Sequence, residues 1–459
     1  MADARDRRIA ELEAENAELR QRVVELEREL AQLRHQLQTI LQRRKRTTDK
    51  PAPRQGTPAD RRRKEHRKHP GVFRPDPPPE TTFIKHDVQP QECQHCGSRD
   101  LEPMGEFDDH IVADIPEPKL QWHRYRRHVH RCRDCQKTSQ GRGDLELPGA
   151  HIGPRARLLT CYSRAHLGMS LGKTRDLLHD FFGLTVSRAG LLGHLRWGGE
   201  LFEPVVEELF QRLRASAVVQ GDETGWRING QTAWVWCFRD PSLALFLIDR
   251  HRSRDVLVRA LGETFAGTLV SDFYAAYNGL DCTKQRCLVH LLRELAKLRE
   301  ELPGPSVRAF IQPLITLFQD ALQLAKERDQ MSRAAFKRAR QTIQDRFDDL
   351  LLNCHSKNPD CLRIWKRLFN HCDELFVFLD NPQVPADNNG CERDIRSLAA
   401  ARSDGGTHRA EWSATAFARI KSVIVTSLKN GFRFIHYGLD VVQATLRTQP
   451  LPLPLDHHS

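Results

Sequence analysis

From residue 215 the apolar residues of this chain leave helical spacing and gather into short runs, which constrains the fold more than any other feature. ASAVVQG (215–221) reads as a strand ending at Asp222. QTAWVWCF and LALFLID read as two more, beside turn signals at Asn229-Gly230 and Asp240-Pro241. SRDVLVRALG (253–262) has helical spacing. TLVSD (268–272) is a further buried strand ending at Asp272, and a short helix, a strand-like QRCLV (285–289) and a helix from His290 follow. The order is β-β-β-α-β-α-β-α. An antiparallel meander feeding two parallel strands is the ribonuclease-H-like α/β arrangement, in which the first and fourth strands are neighbours.

That neighbourhood has a chemical consequence, because it brings Asp222 and Asp272 to one edge. A third carboxylate, Glu392, lies in ADNNGCERDIR (386–396), near the start of a helix that Asp387 or Asn388 caps. Three such carboxylates suit two Mg²⁺ (or Mn²⁺) ions roughly 4 Å apart, which neutralise the attacking, leaving and non-bridging oxygens of a phosphodiester. Mg²⁺ prefers hard carboxylate oxygens. A single Asp is more often a surface or capping residue; the end of an apolar strand is what singles out Asp222. Glu223 beside it is a fallback ligand. Arg393 and Arg396 are placed to meet DNA phosphates or to balance the site's charge. His290, close after Cys287, reads either as a helix-start residue facing DNA or as a core-facing polar cap.

Upstream, residues 5–41 carry heptads. Leu12, Leu19, Leu26, Leu33 and Ile40 take position d; Ile9, Asn16, Val23, Leu30 and Leu37 take position a. Leucine at d with one Asn at a predicts a parallel two-stranded coiled coil, hence a homodimer. The g residues Arg8, Glu15, Arg22 and Glu29 would meet the opposite charges Glu13, Arg20, Glu27 and Arg34 across the seam. Residues 42–90 read as a basic, disordered linker whose RRKR (43–46) and Arg61, Arg62, Arg63 and Lys64 are candidates for phosphate contact. In 91–140, Cys93-Gln-His-Cys96 and Cys132-Arg-Asp-Cys135 predict a four-cysteine structural Zn²⁺ ribbon, with His95 and His130 as substitute ligands. The loop between the knuckles holds a candidate hairpin that includes the basic run 123–130. Residues 150–212 read as helical, with a helix-turn-helix pattern turning at Gly183 and capped by Ser187; an ordinary helical hairpin fits it equally well.

The α/β core is expected over 213–300, interrupted by a helical insertion at 301–385 and resumed at 386–448, with a disordered tail at 449–459. The whole is a multidomain α+β chain. The 71 Lys+Arg against 60 Asp+Glu favour a polyanionic partner, nucleic acid first. No apolar run is long enough to span a bilayer, and the first residues carry no signal-peptide core, so a cytoplasmic protein with no membrane partner is expected. Cys354, Cys361 and Cys372 read as buried thiols.

GDETGWR (221–227), SDFYAAY (271–277), CLVHLLREL (287–295), NNGCERDIR (388–396) and SLKNGF (427–432) together resemble the insertion sequence 66 family of transposases. The resemblance spans nearly the whole chain, from the leucine-zipper-like helix through the zinc-finger region to the core. Phe273 and Ser397 depart from the family pattern, which usually has Gly and Pro there. The resemblance implies a D-D-E transposase of a bacterial insertion sequence, with Asp222, Asp272 and Glu392 as metal ligands and Cys93, Cys96, Cys132 and Cys135 as the zinc finger. It further implies terminal inverted repeats and target DNA as partners, cleavage at the element's ends, joining of the 3′-OH to target, and a nucleoid-associated protein when on DNA. Two other readings use the same features: a catalytically inactive DNA-binding regulator, and a nuclease of this fold that cuts without joining.

Overall fold

A computed structural model describes residues 77–302, 304–353, 356–403, 406 and 408–455. The heptad segment, the linker up to residue 76 with Arg61, Arg62, Arg63 and Lys64, Cys354 and the last four residues lie outside the described residues. The chain divides into two units, one up to His110 and one from Ile111. Among its described residues the first unit has no helix or strand; it has turns at Pro78–Thr81 and Cys93–Gly97.

The second unit opens with a small antiparallel ribbon, β1 (Val129–Arg131) against β2 (Thr138–Gln140). The hairpin therefore wraps the second cysteine knuckle; most of the basic run 123–130 precedes it. Four helices follow: α1 (Pro154–Ala165), α2 (Leu171–Phe182), α3 (Arg188–Leu201) and α4 (Glu203–Arg214). The turn between α2 and α3 is built as the sequence indicates. Gly183 takes a left-handed conformation (φ 65°) at the end of α2, and the Ser187 hydroxyl accepts the Gly190 N–H at the start of α3.

The central sheet comprises β3 (Val218–Ile228), β4 (Gln231–Arg239), β5 (Ala244–Asp249), β6 (Thr264–Ser271) and β7 (Asp281–Arg286), in the order β5-β4-β3-β6-β7. β3, β4 and β5 pair antiparallel, while β3, β6 and β7 run parallel. Asn229 and Gly230 both have positive φ (50° and 75°), as the two-residue turn matched to strand twist requires. α5 (Arg254–Leu261) joins β5 to β6. The first and fourth strands of this sheet are side by side.

Two boundaries differ from those read in the sequence. β3 does not stop at Asp222 but continues to Ile228, because its hairpin with β4 extends to the Asn-Gly turn. What stops is the parallel pairing, whose last rung is Gln220 with Val270, so Asp222 sits just where β3 parts from β6. The strand expected at QRCLV lies earlier. Leu288, Leu291, Leu295 and Leu298 are the buried face of a helix, α6 (Leu288–Glu301), which claims the end of that run.

Successive residues of the central strands serve two cores, since alternate side chains point to opposite faces. Val219 and Leu269 join the core formed with α1, α4, α12 (Glu411–Lys429) and α13 (Phe434–Arg447); Val218 and Val270 face the other. That second core contains α6, α7 (Pro305–Lys326), α8 (Arg333–Leu352), α9 (Pro359–Asn370) and α10 (Val377–Asp380). The segment 301–385 thus covers one face of β6 and β7. The tail is a correction as well: Leu451, Leu453 and Leu455 pack on the first core, and the Tyr437 hydroxyl donates to the Pro452 carbonyl at 2.9 Å. Pro454, between the last two of these leucines, is buried, so the segment lies against the protein along its length. No helix among the described residues is long and apolar enough to cross a membrane.

Candidate active site

Three elements carry the sequence-predicted carboxylates. Asp222 is on β3, opposite Cys237 of β4. Asp272 follows the last residue of β6. Glu392 is in the first turn of α11 (Asn389–Ser403). That helix is tied to β3 by its own leading residues. The fully buried Asn388 donates its side-chain N–H to the Gly221 carbonyl at 2.8 Å, and Gln220 donates back to the Asp387 carbonyl at 3.0 Å. Gly390 leaves room for the side-chain ends of Arg239 and Gln220, which a Cβ there would displace. Asp387, one of the two expected caps, accepts the Asn389 N–H at 2.9 Å. Asn388 instead acts as a tether.

The carboxylates are near enough to feel one another. Asp222 is pushed up to about 7, first by burial, then by the charge of Glu223, with smaller contributions from Asp272 and Glu392; the Glu223 N–H, 2.9 Å from its Oδ1, pulls the other way. Glu223 is not available as a fallback ligand. Its side chain is 1% exposed, paired with Arg252 at 2.6 Å and hydrogen-bonded by the Tyr277 hydroxyl. Burial still raises its carboxyl above the usual range. Arg252 is itself fixed between the rings of Trp234 (4.5 Å) and Tyr274 (3.6 Å).

Asp272 is held through its backbone. Arg286, at the end of β7 and fully buried, donates from Nη1 to the Asp272 carbonyl at 2.8 Å and from Nε to Glu374, with Asn278 and Ser271 taking further donors. The Asp272 side chain accepts the Tyr274 N–H at 2.8 Å. Sequence reasoning missed Arg286, Arg252 and Tyr277. The local sequence offered no signal for them: Arg286 closes a strand, β7, that is polar and at least partly exposed over most of its length.

As placed, no group of three or more His, Cys, Asp or Glu among the described residues is gathered tightly enough to hold a metal ion. The donor chemistry nevertheless fits divalent cations in two respects. Burial and neighbouring carboxylates disfavour the Asp222 anion, a penalty that a cation would relieve, and Glu392 Oε1 is buried with no hydrogen-bond partner. The two cysteine knuckles belong to different units and have the same turn. Gly97 N–H donates to Cys93 O and Gln136 N–H to Cys132 O, with φ positive at both Gly97 and Gln136. Backbone N–H groups of His95 and Cys96 lower the Cys93 thiol, and those of Cys135 and Asp134 lower the Cys132 thiol, which favours the thiolate that zinc takes. Arg393 and Arg396 are exposed on α11; Arg396 Nη2 lies 3.6 Å from Glu392 Oε2. Of the remaining thiols, Cys361 is buried and Cys372 half-buried.

The model of a family described as Transposase IS66 family matches residues 151–416, more than half of the chain and all three carboxylates. A second, described as zinc-finger binding domain of transposase IS66, matches residues 90–136 and so takes in all four knuckle cysteines. No curated protein matches the chain.

Proposed function

The chain belongs to the IS66 transposase family, and on that premise we propose that it cleaves the ends of an insertion sequence and joins the freed 3′-OH to target DNA on a ribonuclease-H-like core. The observation that carries this reading is geometric: Asp222 stands where β3 parts from β6, Asp272 follows the end of β6, and the helix that bears Glu392 is tied to β3 by Asn388 and Gln220. Asp222, Asp272 and Glu392 would hold Mg²⁺ or Mn²⁺, which would supply charge neutralisation for in-line phosphodiester attack.

The chain's own residues set the stage. Asn388 and Gln220 fix the start of α11 against β3, and Arg286 fixes the backbone after β6. Arg252 and Tyr277 hold the Glu223 carboxylate by an ion pair and a hydrogen bond. Arg393 and Arg396 are placed for backbone phosphates. The α2–α3 pair would bind DNA through the outer face of α3, where Leu192, Gly193 and Arg196 are exposed; its inner face, Leu191, Leu195, Gly198 and Gly199, is packed inside. Arg61, Arg62, Arg63 and Lys64 would add sequence-independent phosphate contacts, and the 5–41 segment would pair two chains.

A strand-transfer assay with terminal-repeat DNA tests the proposal. Joined product is expected with Mg²⁺, and its loss in Asp272→Ala and Glu392→Gln; full joining by either variant contradicts the assignment. Nicking without joining would favour the nuclease. For the zinc finger, alkylation followed by mass spectrometry should find Cys93, Cys96, Cys132 and Cys135 protected until a chelator is added. The buried Cys161, Cys287 and Cys391 should stay unmodified throughout. Equal alkylation of the four with and without chelator would remove zinc from the account.

A further inference from the structure

Glu392 has three basic side chains around it, none close enough to hydrogen-bond it. Its Oε1 lies 3.5 Å from His290 Nε2 and 3.7 Å from Arg293 Nη1, and its Oε2 lies 3.6 Å from Arg396 Nη2. Charge-assisted N–H···O bonds close to about 2.7–2.9 Å. The side chain is only 15% exposed, and Oε1 has no hydrogen-bond partner. The attraction is therefore Coulombic and loose. His290 and Arg293 share one face of α6, three residues apart, while Arg396 is one turn along α11 from Glu392.

The arginines lean in from the open side. Arg293 is 59% exposed and Arg396 74% exposed, so most of their donors face solvent. A guanidinium grips a phosphate through two parallel N–H bonds, a stronger arrangement than a single contact beyond hydrogen-bond reach. The same carboxylate is also within range of the charge on Asp222. Glu392 thus stands between two exposed arginines and Asp222.

We infer that Arg293 and Arg396 form a clamp for a phosphate of the DNA strand entering the site, and that engaging it releases Glu392 toward Asp222 and Asp272. The inference rests on reading those three residues as cation ligands. DNA and divalent cation then bind cooperatively. Without DNA the two arginines compete with the cation for Glu392, and with DNA they are occupied elsewhere. By linkage, whatever factor DNA adds to cation affinity the cation adds to DNA affinity.

The test titrates Mn²⁺ into the full chain, with and without a short DNA duplex, and follows free Mn²⁺ by electron paramagnetic resonance. Subtracting the same titration of Asp222→Ala isolates the site from ions condensed on DNA. The wild-type site is expected to bind Mn²⁺ about tenfold more tightly with the duplex, within the usual range of coupling between sites. The double variant Arg293→Gln, Arg396→Gln should bind Mn²⁺ about tenfold more tightly than wild type without DNA, and DNA should then add nothing. Both positions are exposed, so the fold is retained. If the double variant keeps wild-type affinity and wild-type response to DNA, the clamp is wrong while the carboxylate site stands. If wild type shows no Asp222-dependent Mn²⁺ binding under either condition, the metal-site reading fails and the clamp with it.

Discussion

Asp222→Asn is expected to abolish joining, by roughly 10³-fold or more, while making the metal-free chain harder to unfold. Loss of a ligand that positions charge-stabilising cations forfeits several kcal/mol of barrier lowering, which is about three decades of rate. The stability gain has a separate origin. Burial and neighbouring carboxylates raise Asp222 from 3.8 to about 7. Below 3.8 the folded and unfolded chains both hold the proton. Between 3.8 and about 7 the unfolded chain ionises while the folded one keeps its proton, so wild-type stability falls as pH rises through this window, and the loss levels off above it. Asn removes that slope and retains an oxygen to accept the Glu223 N–H. A raised pKa of this size corresponds to roughly 4 kcal/mol for a fully insulated group, and solvent on the open side brings it to about 1–2 kcal/mol. Urea midpoints in chelator should therefore coincide near pH 4 and separate by pH 7, and saturating Mg²⁺ should narrow the gap by stabilising wild type alone. A variant that unfolds at the wild-type midpoint at pH 7 in chelator would show that Asp222 is not under electrostatic stress.

Parts of the molecule are legible in the sequence where the signal is local, and others are not. The meander and the strand before Asp272 announce themselves through local apolar runs, and Asn229-Gly230 through the backbone conformations only such residues accept. The extent of β3 does not, because Asp222, Glu223 and Thr224 interrupt the apolar pattern while the ladder with β4 continues beneath them. β7 is polar over Asp281–Lys284 because its outer positions are exposed, so it reads as loop. Asn388 looks like an ordinary cap; its bond to the Gly221 carbonyl spans 167 residues and leaves no local trace. The tail reads as disordered because prolines dominate it, yet its alternating leucines find apolar surface. Arginine is almost never fully buried unless paired, so the partners of Arg286 were needed before its position made sense.

Those partners make Arg286→Met a strongly damaging change to the fold. The variant would leave Glu374 without its buried cation and would free the Asp272 carbonyl, Asn278 and Ser271 of their donor. His371, 2.9 Å from Glu374, offers only part of a replacement, since burial lowers its own tendency to be charged. Breaking one side of a buried ion pair costs about 3–5 kcal/mol, much of it the penalty of the stranded charge. Removing the second charge as well, in Arg286→Met with Glu374→Leu, should recover most of that loss, because the coupling between the two positions is strongly non-additive. Urea unfolding of both single variants and the double variant measures this directly; a double variant as unstable as Arg286→Met would show that the stranded carboxylate is not the cause. Joining should behave differently. In the restored double variant the backbone that carries Asp272 still lacks its anchor, so the half-saturating Mg²⁺ concentration should rise even though the chain is folded. If stability and Mg²⁺ dependence returned together, Arg286 would be a structural residue only; if stability alone returned, its guanidinium positions Asp272.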